Sequence, residues 1–112
     1  MSTSNHTFSS QTIQDLFITA CEGGVNYWCD INDYDYKNTT ATYDITTPDA
    51  PDSITMQGTI TDKTIVAGIK ALQDMDSAFS RRILNDIINE DFDAETCDVV
   101  LQLGIFGDII FG

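Results

Sequence analysis

The hydrophobic period of this chain changes twice, and that change restricts the fold more than any other feature of the sequence. From Ser10 to about Glu22 the apolar residues Ile13, Leu16, Phe17, Ala20 and Cys21 recur at i, i+3, i+4, i+7 and i+8, the stripe of an amphipathic helix. Gly23-Gly24 follows and predicts a helix stop with one glycine in the left-handed conformation. Val25 to Ile31, carrying Tyr27 and Trp28, reads as a first strand, and Asn32 to Asn38 as a turn or loop. Thr40 to Thr46 then alternates through Ala41, Tyr43 and Ile45, until Pro48, Asp49, Pro51 and Asp52 interrupt it. Ile54 to Ile60 reads as a third strand, with Gly58 marking a bend or bulge.

Beyond residue 60 the helical period returns. Thr61 or Asp62 caps a helix with Ile65, Val66, Ile69 and Leu72 on its inner face. Asp76 or Ser77 starts another that turns Phe79, Ile83, Leu84, Ile87 and Ile88 inward. Asp93 caps a fourth, with Cys97, Val100, Leu101 and Gly104 on one face, Glu95 in its first turn and Gly107 as its stop. Ile109 to Phe111 can add a short fourth strand. The expected fold is therefore α+β, a three-stranded antiparallel sheet packed against four helices. Residues 1–8 read as a flexible polar arm and residues 9–112 as a single domain, a length that leaves no room for two.

Composition then supplies the functional constraint. Apolar and aromatic residues make up 42%, enough for a core. Eighteen acids, fifteen of them aspartate, face five bases, giving a net charge of -13 and an isoelectric point near 4.1. A soluble domain of this size is comfortable at a magnitude of about 2 to 8. Such a chain repels phosphate and anionic membrane, so direct nucleic-acid or membrane binding is not expected and a basic protein surface is. No apolar run reaches the length of a membrane span. The first residues show neither the basic nor the apolar region of a signal peptide, and three cysteines without a C-x-x-C pair suit a reducing compartment. The expectation is a cytoplasmic protein.

Catalytic machinery is thin. His6 is the only histidine and lies in the polar arm, so no Ser-His-Asp or Cys-His set can be assembled around an oriented base. Cys21 and Cys97 fall on inner helical stripes, and Cys29 lies among acids that disfavour its thiolate. A calcium loop begun at Asp33 meets Lys37 and Asn38 where a ligand and a glycine belong, and one begun at Asp30 meets Tyr34. No catalytic residue, metal ligand or cofactor site is assigned.

The acids are unevenly placed. The first 29 residues hold only Asp15 and Glu22, whereas residues 86–98 hold six acids and no base. The residues expected to meet a partner are Asp30, Asp33, Tyr34, Asp35 and Tyr36 in the first region and Asp86, Glu90, Asp91, Asp93, Glu95 and Asp98 in the second. The tyrosines between aspartates suit an interface, where an apolar ring with a polar end is a frequent hot spot, or packing across the sheet.

Two motifs frame the chain: Glu22, Gly23, Gly24, Tyr27 and Trp28 near the start, and Glu95, Thr96, Asp98, Phe106 and Gly107 near the end. Together they resemble a group of small acidic proteins encoded by phages and mobile elements. The resemblance implies a mobile-element origin and favours an inhibitor of host defence, of anti-CRISPR or antirestriction type, but no active site. The leading expectation is a non-catalytic DNA-mimic inhibitor that masks the basic surface of a nuclease, CRISPR effector or other DNA-binding protein. The alternatives are a regulatory or structural protein of the element, acidic for solubility and dimeric through its C-terminal edge, and a metal-dependent enzyme using carboxylates.

Overall fold

The computed structural model describes residues 8–47 and 50–111, without the side chains of residues 46, 47 and 50–55. It shows an α+β fold in which a three-stranded antiparallel sheet packs with four helices. The expected arm and the break at Pro48 and Asp49 lie outside the described residues, except Phe8, which packs against the core.

Helix α1 (Ser10–Thr19) starts at Ser9, whose hydroxyl accepts from Thr12 N at 3.2 Å, and buries Leu16 and Phe17. It ends differently from the expectation. Neither Gly23 nor Gly24 is left-handed; the helix widens into a π turn, Ala20–Gly24, closed by Val25 N donating to Ala20 O at 3.1 Å. The predicted strand at Val25 is then lost, because Val25 O accepts from both Trp28 N and Cys29 N. These turn bonds swing Trp28 into the core, and pairing begins only at Asp30.

Strand β1 (Asp30–Asp35) therefore occupies part of the segment expected as loop, and it pairs antiparallel with β2 (Thr40–Thr47). β2 pairs with β3 (Ala50–Thr61) in the order β1-β2-β3. Alternation places Ala41, Tyr43 and Ile45 in the core, as the period predicts. β3 runs through Pro51, which an edge strand tolerates because one side of its ladder is unpaired. Gly58 pairs regularly with Tyr43; the shifts of register fall between Ile45 and Thr47 and between Asn32 and Asp35. At the latter, Asp33 adopts a left-handed φ of 48°.

Helices α2 (Asp62–Met75) and α3 (Ala78–Ile88) open on capping boxes at Thr61 and Ser77, and α4 (Ala94–Phe106) opens on Asp93. α4 is the centre of the molecule, every residue from Thr96 to Leu103 being buried. Its contact with α2 is backbone to backbone. A Cβ on Gly68 would lie 2.0 Å from Val100 O, and one on Gly104 would lie 2.1 Å from Thr64 O. The two glycines thus remove the side chains that would hold the helix axes apart. This crossing also decides the inner face of α2: Ile65, Ile69 and Leu72 flank Gly68, and Val66 is turned out. On α3, Ile83, Leu84 and Ile87 are buried, while Phe79 and Ile88, expected inside, are exposed; Arg82 lies over the Phe79 ring at 5.6 Å.

The chain after α4 forms no fourth strand. Gly107 closes the helix at φ 74°, with its N–H donating to Leu103 O at 2.9 Å. Ile110 N and Phe111 N both donate to Gln102 Oε1 at 2.8 Å, and Gln102 Nε2 donates to Phe111 O at 3.1 Å. One buried side-chain amide supplies the bonds that a neighbouring strand would have supplied.

The α2–α4 crossing yields a direct test. Gly68→Ala must drive the two backbones apart and is expected to cost about 3 kcal/mol in urea unfolding. Gly23→Ala, where a Cβ would meet nothing within 4 Å, is expected to change stability by about 1 kcal/mol or less, on the stabilising side.

Candidate interaction surface

The sheet and its first turn display the first group of expected partner residues. Asp33 accepts from Thr42 Oγ1 at 3.2 Å, and Asp44 from Asn32 Nδ2 at 3.0 Å. Asp35 accepts from Lys37 N, from Asn38 N and, at 2.7 Å, from Asn38 Nδ2. The Asn38 side chain and then its backbone N–H hold the Asp35 carboxyl below its ordinary range. These donors are neutral. Among the described residues no hairpin carboxylate has an ion-pair partner, because the ion pairs run from Lys70 to Asp74, Arg81 to Asp76 and Arg82 to Glu95. The hairpin therefore fixes where its carboxylates point and cancels little of their charge, Lys37 acting weakly on Asp35 without forming an ion pair.

The tyrosines divide. Tyr34 is half-buried, its ring stacked 5.8 Å from Phe17 and its hydroxyl donating to Glu22 Oε2 at 2.6 Å. Tyr36 stands 51% exposed, 6.4 Å from Tyr34, and its main-chain carbonyl accepts from Gln14 Nε2 at 2.7 Å. Of this pair, Tyr36 is the one that stands exposed.

The second group surrounds the α3–α4 connection. Glu90, Asp91, Asp93 and Glu95 are exposed and Asp86 is half-buried. The turn is drawn tight by Asp91 N donating to Asp86 O at 2.8 Å, with Glu90 left-handed at φ 55°. Asp93 caps α4, accepting from Thr96 N at 3.0 Å and Thr96 Oγ1 at 3.1 Å. The Thr96 backbone bond is the main reason its carboxyl lies below the ordinary range. Glu95 is partly compensated by Arg82 at 3.3 Å.

Asp98 is a correction. It was expected on the partner surface, but it is only 9% exposed. Oδ2 accepts from the Tyr27 hydroxyl at 2.5 Å; Oδ1 accepts from Trp28 Nε1 at 2.8 Å and Gln102 Nε2 at 3.0 Å. Three donors satisfy a carboxylate whose desolvation would otherwise be costly. Trp28 is stacked on Phe111 at 5.1 Å and tilted against Phe106 at 5.6 Å. The two sequence motifs, some seventy residues apart, thus meet around one carboxylate. Gly24 completes the junction, since a Cβ there would lie 3.0 Å from Ala94 O at the start of α4. Glu22, Gly24 and Ala94 make the π turn the physical link between the hairpin acids, through Tyr34, and the acids that open α4.

The remaining chemistry is subdued. Burial pushes the thiols of Cys21, Cys29 and Cys97 up to about 12, so all three stay protonated at neutral pH. Among the described residues no three His, Cys, Asp or Glu side chains converge as a metal-binding group, and no helix is long and apolar enough to cross a membrane. In comparisons with known proteins, no family model, no curated protein and no solved structure matches this chain.

Two outcomes are expected. Asp98→Ala strands the donors of Tyr27, Trp28 and Gln102; it should cost about 3 kcal/mol and shift the emission of Trp28, the only tryptophan. Asp93→Ala should cost about 1 kcal/mol at pH 7. Because the native carboxyl is depressed, that contribution is complete above the ordinary carboxylate range and disappears as pH falls through the native value. Urea curves of wild type and variant should therefore converge in acid.

Proposed function

We propose that this protein is a non-catalytic interaction protein that masks a basic surface used by its partner to hold DNA, the partner being a nuclease, a CRISPR effector or another DNA-binding protein. The observation that carries this reading is the hairpin, whose carboxylates are oriented by Asn32, Asn38 and Thr42 rather than neutralised by cations. A surface acidic only for solubility has no need of fixed carboxylates. Orienting them before contact lowers the entropy lost on binding.

Magnitude sets the kind of mimicry. The molecule is 48 Å long, a length over which B-DNA carries about 28 phosphate charges. A net charge of -13 is roughly half of that, so the protein suits a partner's phosphate-binding patch rather than a whole duplex channel. The likeness of its motifs to small acidic proteins of phages and mobile elements supports a target in host defence. We place its action in the cytoplasm, where three free cysteines remain reduced.

A second reading, a dimeric regulatory protein of the element, draws on the apolar tail, in which Ile109 and Ile110 are 37% and 59% exposed. Light scattering separates the two, since a dimer joined by this tail persists at high salt.

The test is competition. Labelled duplex DNA is bound to candidate nucleases and effectors, and the protein is titrated in while anisotropy is read. Displacement is expected, weakening roughly tenfold or more as salt rises from about 0.05 to 0.2 M. The double variant Asp33→Lys, Asp35→Lys and the pair Asp91→Lys, Asp93→Lys should each weaken it. Displacement indifferent to salt and to both variants would sink the reading.

A further inference from the structure

We propose that the cleft between β1 and the π turn is a receptor for an arginine side chain of the partner; this deepens the reading above and rests on it. The cleft is widely open to solvent and holds about 500 Å³, and its walls include Asp30, Asp44, Asn32, Tyr34, Cys21 and Cys29. That volume falls in the range of side-chain-sized and small-ligand sites. No lysine, arginine or histidine lines it.

The charge placement within the cleft is unusual. Asp30 and Asp44 face each other directly across the β1–β2 ladder. Like charges at opposed positions destabilise a sheet pair, and here no cation among the described residues relieves them. Asn32 Nδ2 is spent on Asp44 at 3.0 Å, while Asp30 is exposed. The floor is neutral. Cys29 Sγ donates to Val25 O at 3.6 Å; the Cys21 thiol, 6% exposed, has no hydrogen-bond partner among the described residues. Both thiols stay protonated, so the only charges facing the cleft are negative.

A cation inserted here relieves a repulsion that the fold otherwise carries. Guanidinium fits better than ammonium for two reasons. Its planar fork of donors spans two carboxylates on neighbouring strands, whereas an ammonium is a single point. The Tyr34 ring, stacked on Phe17 on one side, also forms part of the wall, where a guanidinium can meet its remaining surface.

The probe is N-acetyl-arginine amide, titrated into the isotopically labelled protein and followed by NMR, with the citrulline and lysine analogues in parallel. Saturable shifts at the Asn32 side-chain amide and at Asp30 and Asp44, none with citrulline and weaker ones with lysine, are expected. Asp44→Asn and Asp30→Asn should each weaken the arginine complex roughly tenfold, while Asp74→Asn, on α2 and outside the cleft, leaves it unchanged. Both substitutions preserve shape, and undisturbed α2 and α4 resonances show that the fold is retained. Equal shifts with lysine, shifts spread over every acidic segment, or full binding by Asp44→Asn and Asp30→Asn would each overturn the receptor. None of these would touch duplex competition, which reports the wider surface; conversely, failed competition with intact arginine binding would remove only the wider reading.

Discussion

The backbone contact between α2 and α4 is the constraint from which the rest of the structure follows. With Gly68 and Gly104 at the crossing, α4 sinks among the other helices until residues 96–103 are all buried. A helix so placed cannot leave a polar side chain unanswered. Thr96 is answered by its cap, Asp98 by Tyr27 and Trp28, and Gln102 by the chain beyond Gly107. The turn after α1 and the tail after α4 are thus shaped by what the central helix needs. No buried side-chain nitrogen or oxygen among the described residues lacks a partner.

That interior also tolerates the charge. A net -13 on 112 residues pushes the folded state apart, and the three ion pairs among the described residues are exposed and contribute little. Cohesion has to come from apolar burial and from satisfied polar groups inside. The charge is then left outside, where the hairpin and the α3–α4 connection hold it in place.

Much of the fold was legible in the sequence because period and capping are local. The stripe of α1, that of α2 apart from Val66, the alternation in β2, the Asp93 cap and the Gly107 stop all follow from neighbouring residues. What escaped depends on distant partners. Asp98 reads as a solvent position because nothing nearby in the chain reveals that a tyrosine and a tryptophan seventy residues earlier will meet it. The π turn was read as a glycine stop because its cause, the start of α4 pressed against Gly24, is likewise remote. Ile109–Phe111 resembled a strand because its partner is a side chain rather than a backbone. Of the expected partner residues, all but Asp98 retain exposed or half-exposed side chains; Asp98 closes the acidic run of residues 86–98 and also belongs to the C-terminal motif, and only the second membership agrees with its burial.

The use of asparagine amides to steer the hairpin carboxylates has a consequence for how the protein ages. Asn32 and Asn38 each donate through Nδ2 to an aspartate, and both are exposed. Deamidation of either turns a donor into one more carboxylate facing the group it had been holding. The damaged molecule would be more acidic, yet less ordered at the hairpin. Stored protein would therefore separate by charge into forms whose more negative member has the less ordered hairpin.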